Sequence, residues 1–278
     1  MPVRLLDPQT IGKIAAGEVI DRPVSVVKEL VENAIDAGAK RIRIEIEEGG
    51  SRTIRVTDDG SGMLAEDLTL AVERHATSKL LRFDDLEELH TLGFRGEALP
   101  SIGAVSRLTI RSAVAGRGAG AELVIDFGVQ RPLTAGGSPV GTSVAVHDLF
   151  GNVPARRKFL KQPSTEAAYI TRMIGAYACH RSDIRWSLTV DRRKAVSTPG
   201  TGDDAEAAIG VYGAELADDI LPLTPVGADA EVPGVEVSGW VSSPRVTRSH
   251  RQNLFFFVNG RLIQHRALQY ALEEAFHS

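Results

Sequence analysis

The segment from Pro23 to Gly38 constrains the fold of this chain more than any other segment. Proline is favoured in the first turn of a helix and glycine just past the last turn, so the segment predicts one helix. At about 100° per residue, its apolar side chains form a broad stripe that predicts packing against a core. Glu29, Asn33 and Asp36 fall along one edge of that stripe, where polar groups lose part of their water. A carboxylate and an amide one turn apart at such an edge can hold a metal ion and a water molecule.

The other polar residues of this helix carry a simpler expectation. Lys28 and Glu32 lie further around the helix, where exposure to solvent is the ordinary outcome. A simple alternative also exists for Glu29 and Asn33, because the polar residues of an amphipathic helix are commonly just hydrated. The segments that follow the helix decide between these interpretations.

Two alternating segments follow the helix, and they predict a hairpin of strands at Arg41–Glu47 and Thr53–Asp58. The alternation places Asp58 on the same face as the inward apolar residues of its strand. A carboxylate on that face needs a protein partner or a ligand, because an unpartnered buried charge is costly. Gly60 and Gly62 come next and allow the backbone to turn sharply and a flat ligand to approach closely.

Two further loops offer hydrogen-bond donors to an anion. Thr77, Ser78 and Lys79 supply hydroxyl and ammonium donors, although a plain connection between helices would look the same. The segment Gly93–Leu99 is a glycine-containing loop that opens into a predicted helix, whose first N–H groups favour an anion. Its glycine spacing fits neither the Walker loop nor the dinucleotide fingerprint.

The rest of the sequence predicts an antiparallel sheet followed by a linker and a second, smaller domain. A linker is predicted at Gly200–Asp204, which is small, polar and acidic. The predicted elements are strands at 107–111, 121–126 and 141–147, a basic loop at 152–159, a helix at 164–178 capped by Ser164 or Thr165, a hairpin at 184–196, a helix at 205–216, strands at 235–241 and 253–258, and a final helix from His265. A short helix is also predicted about 84–90, before the glycine loop.

Composition and charge limit the classes of function. The chain has 278 residues, of which 43% are hydrophobic and 24% charged, and it contains no apolar run long enough to cross a membrane. The single cysteine, Cys179, and the absence of a signal pattern predict a reducing, cytoplasmic setting. A net charge of −4 argues against a generally basic nucleic-acid binder. However, residues 151–200 carry ten Lys/Arg against three acids, and residues 241–278 carry five Arg against two Glu.

Together these motifs resemble the GHKL ATPase superfamily, and in detail its MutL mismatch-repair family. The stretches that carry the resemblance are Ile14–Ile20, Glu29–Ala39, Arg74–Lys79, Gly93–Leu99, Pro154–Phe159 and Val258–Arg261. The resemblance implies an α+β fold, in which a mixed, mainly antiparallel sheet backed by helices forms an ATP-binding sandwich. It implies an ATPase domain at 1–200 and a smaller α/β domain at 201–278 that is incomplete at its C-terminus.

The resemblance also implies roles for individual residues, with ATP and Mg²⁺ as the cofactors. Glu29 would be the catalytic base for water, Asn33 would ligate Mg²⁺, and Asp58 would accept a hydrogen bond from the adenine amino group. Further nucleotide contacts are implied for Ala37, Gly60, Gly62, Met63, Thr77, Ser78, Lys79, Gly93, Phe94, Arg95, Gly96, Glu97, Ala98, Leu99 and Thr142. Two departures stand out: Asp59 replaces the family's usual asparagine, and the sequence ends at Ser278, before the segment that carries a lysine for the γ-phosphate. Weak turnover is therefore expected of this chain.

The implied function is an ATP-driven mismatch-repair protein that closes a lid, dimerises, and signals to DNA and to a mismatch-recognition protein of MutS type. Sequence-independent DNA contacts are expected from Arg156, Arg157, Lys158, Arg261 and Arg266. One alternative is a nucleotide-gated DNA- or protein-binding module with little turnover. Another is a topoisomerase-type ATPase, which the Gly93–Leu99 and Val258–Arg261 stretches disfavour. No membrane partner is expected.

Overall fold

The computed structural model of the chain describes residues 12, 16–17, 19–77, 91–93, 96–223, 235–246 and 253–277. The chain divides into two compact units, Met1–Met173 with Trp186–Ala195, and Ile174–Arg185 with Val196–Ser278. The domain boundary that the sequence predicts after residue 200 stays a prediction. The helix predicted about 84–90 lies outside the described residues. Within the described ranges, no helix combines the length and the apolar character needed to span a membrane.

A nine-stranded sheet is the largest element of the chain. Its strands are β1 Arg41–Glu47, β2 Thr53–Asp58, β3 Arg107–Ala113, β4 Gly120–Asp126, β5 Val129–Gln130, β6 Thr134–Gly136, β7 Gly141–His147, β8 Arg185–Val190 and β9 Arg193–Ser197. Their spatial order is β5-β4-β3-β7-β2-β1-β8-β9, with β6 also paired to β4. The pairs that join β1, β2, β7, β3 and β4 are all antiparallel. The predicted hairpins and the mainly antiparallel character of the sheet are confirmed.

Helix α1, Pro23–Asp36, covers the inner face of this sheet. Strands β1 and β2 turn alternate side chains toward it, and Ile44 and Ile54 are fully buried there. The helix buries its own apolar stripe, as the sequence predicts. Glu32 is a correction, because its side chain is buried with only 3% of the residue exposed. Lys28 Nζ donates to Glu32 Oε2 at 2.8 Å, and this ion pair offsets the cost of burying the carboxylate.

The next described α-helices along the chain are α2 Ala65–Leu70, α3 Ala98–Ala104, α4 Pro154–Phe159 and α5 Pro163–His180. The basic loop predicted at 152–159 is wrong for most of its length, because Pro154 suits a first helical position and the alanine and cationic residues after it favour a helix. Helix α5 begins before the predicted caps, Ser164 and Thr165. Pro163 starts it, and Glu166 Oε1 accepts a hydrogen bond from the Lys161 N–H at 2.9 Å.

Among its described residues, the second unit contains two small sheets and two α-helices that lie wholly within it. Helix α6, Asp204–Tyr212, is capped by Asp203, whose Oδ1 accepts from the N–H groups of Ala205 at 2.8 Å and Glu206 at 3.0 Å. The remaining elements are a 3-10 helix at Ala214–Asp219, β10 Ile220–Pro222 paired with β11 Trp240–Ser242, β12 Phe256–Val258 paired with β13 Arg261–Ile263, and α7 Arg266–His277. The predicted helix at 205–216 is shorter because Gly213 turns to φ 104°.

Aromatic contacts fix β12 within the second unit. The His180 ring stacks on Phe257 with centroids 3.9 Å apart, and Tyr177 meets Phe257 edge-on at 5.6 Å. Cys179 precedes this histidine. Burial raises the pKa of the Cys179 thiol to about 12, so it stays protonated at neutral pH and behaves as a packing residue.

Candidate functional site

Asp58 ends strand β2 as a half-buried carboxylate. Its Oδ1 accepts hydrogen bonds from the backbone N–H of Gly60 at 2.9 Å and of Thr142 at 3.3 Å. Its Oδ2 accepts none from the part of the chain that the structure describes. Burial raises the pKa of this carboxyl above its ordinary value, against the lowering effect of the two N–H groups. One oxygen of Asp58 is therefore held in place, and the other remains available to a donor.

Close backbone contacts surround Asp58. A Cβ on Gly62, which has φ 71°, would lie 2.1 Å from the Ala113 carbonyl oxygen, so only glycine fits. A Cβ on Gly60 would lie 2.8 Å from Ala37 Cβ, and the Ser61 N–H donates to the Ala37 carbonyl at 2.9 Å. The end of α1 is thereby fixed against the loop after β2, and the predicted nucleotide contacts Ala37, Asp58 and Gly60 come together.

Ser112 on β3 links the remaining parts of this loop. Its buried Oγ accepts from the Met63 N–H at 2.8 Å, donates to the Gly141 carbonyl at 3.1 Å and lies 2.9 Å from Thr142 Oγ1. It brings two predicted nucleotide contacts, Met63 and Thr142, to one place. The sequence contained a signal for it, because Ser112 shares the inward parity of Leu108 and Ile110 and is a polar residue on a buried face.

Asp59, the acid in the place of the family's usual asparagine, binds the start of β1 rather than the residues around Asp58. Its Oδ1 accepts from the N–H groups of Lys40 at 2.8 Å and Arg41 at 2.7 Å, and its Oδ2 accepts from Arg41 Nε at 2.7 Å. Burial raises the pKa of the Asp59 carboxyl, but the hydrogen bonds from Arg41 and Lys40 outweigh it and the pKa lies below its ordinary value. The extra charge is neutralised where β1 begins.

Asp36, near the end of α1, holds the start of the glycine loop. Its Oδ1 accepts from the Leu92 N–H at 2.9 Å, and its Oδ2 accepts from the Gly93 N–H at 3.1 Å. The sequence places Asp36 beside Glu29 and Asn33 but gives it no role in the site. The partner was out of reach of sequence reasoning, because the two groups are more than fifty residues apart in the chain.

Gly96, in the Gly93–Leu99 loop, lies close to Ala76, the residue before the predicted phosphate contacts that begin at Thr77. Gly96 has φ 61°, and a Cβ there would lie 2.3 Å from the Ala76 carbonyl oxygen. His75 Nδ1 lies 3.1 Å from Glu97 Oε1. Ala98 and Leu99 then begin α3. Thr77 is half-buried at this place, whereas Ser78, Lys79, Phe94 and Arg95 lie outside the described residues.

Glu29 and Asn33 lie on α1, one turn apart, and both are half-buried. Among the described residues, no group of three or more His, Cys, Asp or Glu side chains could enclose a metal ion. The oxygens of Glu29 and Asn33 fit a different kind of site, since Mg²⁺ takes oxygen ligands and often draws most of them from water and phosphate. The donor set therefore suits an Mg²⁺ that arrives with a phosphate ligand.

The predicted DNA contacts fall in both units, and each set is described by itself. In the first unit, Arg156 donates from Nη1 to the Ile20 carbonyl at 3.1 Å, and Arg157 Nη1 lies 3.1 Å from Asp148 Oδ1. Lys158 is exposed and makes no ion pair within the described residues. In the second unit, Arg261 begins β13 and Arg266 begins α7.

Comparisons with known proteins identify the families that the chain is similar to. The family model described as "Histidine kinase-, DNA gyrase B-, and HSP90-like ATPase" matches residues 22–128, and the model "DNA mismatch repair protein, C-terminal domain" matches residues 208–278. The chain is 48% identical over 275 residues to the DNA mismatch repair protein MutL of Desulforudis audaxviator, covering 99% of this chain and 48% of that protein. It thus spans about half the length of that relative.

Two solved structures of the Aquifex aeolicus MutL ATPase domain are also similar. The structure complexed with ADP is 29% identical, with a TM-score of 0.68, over 92% of this chain and 88% of that one. A second structure is 30% identical, with a TM-score of 0.66, over 93% and 85% of the two chains.

The fold and the matched family model therefore place residues 22–128 in the class of histidine kinase-, DNA gyrase B- and HSP90-like ATPase domains. The match extends beyond that class into the second unit and covers nearly the whole chain. The chain belongs to the MutL family of DNA mismatch repair proteins.

Proposed function

We propose that this chain binds ATP with Mg²⁺, hydrolyses it, and uses the nucleotide to switch a DNA mismatch-repair protein between open and closed dimeric states. Asp58 carries the proposal. A half-buried carboxylate with one oxygen fixed by the Gly60 and Thr142 N–H groups, and the other without a described donor, matches the amino group of adenine. The glycines around it admit a flat base close to the backbone.

The opposite side of the site would carry the chemistry. Glu29 would orient and deprotonate the attacking water, and Asn33 would hold the metal ion. When bound, Mg²⁺ would neutralise charge on the phosphate oxygens. Asp36 would place the loop that begins at Leu92 and Gly93, because it binds both of their N–H groups. Thr77, Ser78 and Lys79 would add phosphate contacts.

The partners follow from the family and from the charges of the chain. We propose a nucleotide-dependent homodimer that contacts DNA without sequence preference and signals to a mismatch-recognition protein of MutS type. Lys158 is the exposed cation of α4 that has no ion-pair partner among the described residues, so it is available to a phosphate. The single, unreactive Cys179 is consistent with a reducing, cytoplasmic location.

A change at Asp58 tests the adenine assignment. Asp58→Ala removes the acceptor for the base and leaves the Gly60 and Thr142 N–H groups unpaired. We expect ATP affinity to fall by ~1 to 3 kcal/mol, or about 5- to 150-fold, by calorimetry. Asp59→Asn is the matched control, since that carboxylate binds Lys40 and Arg41 and its loss is expected to leave the affinity unchanged. Unchanged affinity in Asp58→Ala would show that the base binds elsewhere.

A further inference from the structure

The outer face of the nine-stranded sheet is polar and open in the part of the chain that the structure describes. Strands β1, β2, β3 and β7 turn their apolar side chains to the inner face and their polar side chains outward. The outward arginines stay accessible, with 48% of the Arg55 side chain and 60% of the Arg111 side chain exposed. An antiparallel sheet of this kind has one face for the core and one for solvent or a partner.

The register of the strands places two cations on either side of a pair of hydroxyls. Arg43 on β1 is opposite Thr57 on β2, Thr57 is opposite Ser143 on β7, and Ser143 is opposite Arg111 on β3. Thr57 Oγ1 and Ser143 Oγ lie 3.0 Å apart. A shallow groove of about 330 Å³ follows this row, and Arg55 lines it as well. We name it the Arg43–Arg111 groove.

The charges of the groove favour an anion. Three arginines and one carboxylate, Glu45, line it. Arg43 forms no ion pair with any described residue, and Arg55 Nη1 is 3.9 Å from Glu45 Oε2, at the limit of an ion pair. Arg111 binds Glu122 through Nε, but most of its side chain remains exposed. Guanidinium groups beside hydroxyl donors are the chemistry that recognises phosphate oxygens.

We propose that the Arg43–Arg111 groove binds the sugar–phosphate backbone of duplex DNA without reading its sequence. This rests on the proposed contact between the protein and DNA, and it places that contact on a surface separate from the nucleotide site. Arg43 and Arg111 are three strand spacings apart, or ~14 Å, which along the duplex axis corresponds to about four base-pair steps of ~3.4 Å. The groove offers no large apolar or aromatic anchor of the kind that dominates protein–protein interfaces, which disfavours a protein occupant.

The test is the salt dependence of DNA binding, measured by fluorescence anisotropy with a fluorescein-labelled duplex at about 50 to 200 mM salt. Each lost phosphate contact reduces the log–log slope by ~0.9, so Arg43→Gln with Arg55→Gln is expected to lower it by ~1.8 and to weaken binding at least about tenfold. Arg43→Lys keeps the charge and is expected to keep most of the slope. Arg131→Gln, an exposed arginine outside the groove, is the matched control and is expected to change neither value.

A second pair of variants separates the groove from the other basic residues. If Arg261→Glu with Arg266→Glu weakens DNA binding but the Arg43 and Arg55 variant does not, the groove proposal is overturned and the DNA contact stands. If the unaltered protein does not bind the duplex, both the groove proposal and the proposed DNA contact are overturned. ATP affinity and thermal unfolding that match the unaltered protein show that the groove variant is folded, because its changed side chains lie on the face away from α1.

Discussion

The two sides of the candidate nucleotide site are built in different ways. Around Asp58, three adjacent strands and the end of α1 are joined by backbone contacts so close that Gly60 and Gly62 cannot carry a side chain without a shift. Around Gly93, the described part of the loop is held mainly by side chains, with Asp36 at its start and the His75–Glu97 pair near its end, and its close backbone contact is at Gly96, beside Ala76. The first side is part of the sheet, whereas the described contacts at the start of the second are hydrogen bonds to a single side chain, that of Asp36.

This difference suits the two tasks of a nucleotide switch, which are recognition of the base and closure over the phosphates. Base recognition benefits from a rigid pocket, because ordering a flexible one would reduce affinity. Chemistry and closure need a segment that moves, because the loop must admit the nucleotide and then exclude water. The comparison therefore predicts that changes around Asp58 act on binding and stability, and that changes along α1 and its loop act on turnover.

The largest expected effect is on turnover at Glu29. Glu29→Ala is expected to bind ATP with Mg²⁺ normally and to hydrolyse it about 10²- to 10⁴-fold more slowly, since a general base acts in the transition state. Calorimetry and steady-state phosphate release with the full-length protein measure the two quantities. Glu66→Ala, an exposed glutamate on α2, is the control and is expected to change neither. Near-normal hydrolysis by Glu29→Ala would show that Glu29 is not the base and that turnover does not depend on this part of α1.

The next effect concerns the rigid side. Gly62 and Gly116 have nearly equal angles, φ 71° and 70°, but a Cβ meets Ala113 at 2.1 Å in the first case and nothing within 4 Å in the second. Gly116→Ala is expected to cost ~1 to 2 kcal/mol of unfolding free energy for its backbone conformation alone. Gly62→Ala is expected to cost a further ~1 to 3 kcal/mol for the clash. Urea denaturation of both variants measures this, and equal losses would mean that the loop yields easily.

Sequence reasoning found the side around Asp58 more completely than the side around Gly93. Alternation in β2 identified Asp58 because the pattern is local and Asp58 is a charged residue at a position where the pattern predicts an apolar one. The same rule applies to Ser112, but the predicted strand stopped at residue 111 and excluded it. The partner of Asp36 could not be predicted, because a burial pattern does not show which N–H group lies within reach. The i,i+4 spacing of Lys28 and Glu32 indicates their ion pair but does not show that Glu32 is buried. The helix at Pro154–Phe159 was missed because its proline was interpreted as part of a loop rather than as a first helical residue.

A smaller effect is expected on the side of the site around Gly93. Asp36→Asn can still accept one of the Leu92 and Gly93 hydrogen bonds but presents its amide donor to the other N–H group. We expect turnover to fall about tenfold, ~1.4 kcal/mol, with ATP affinity nearly unchanged, because a bond to a charged acceptor is lost and the loop is less well placed. Amide hydrogen exchange at Leu92 and Gly93 is expected to accelerate. Asp67→Asn on α2 is the control, and equal exchange in both variants would show that Asp36 does not hold the loop.

The smallest expected effect separates two neighbouring carboxylates by pH. The folded-state pKa of Asp58 is raised above 3.8, so its ionisation as pH rises through that pKa costs stability. The folded-state pKa of Asp59 is lowered below 3.8, so its contribution is present above 3.8 and is lost as pH falls through the folded value. Asp58→Asn and Asp59→Asn both keep an oxygen acceptor for the backbone N–H groups, so the variants differ from the unaltered protein mainly in charge.

The two variants are therefore expected to depart from the unaltered protein in opposite directions. As pH rises from about 3 to 7, the unfolding free energy of Asp58→Asn should increase relative to the unaltered protein, while that of Asp59→Asn should decrease by less than ~1 kcal/mol. Urea denaturation across this range measures both differences. A shift of the same sign in both variants would mean that hydrogen bonds lower the pKa of Asp58 more than burial raises it, as they do for Asp59. The Asp58 carboxylate would then already be satisfied by protein donors, and the rigid side would lose the property that suits it to a base.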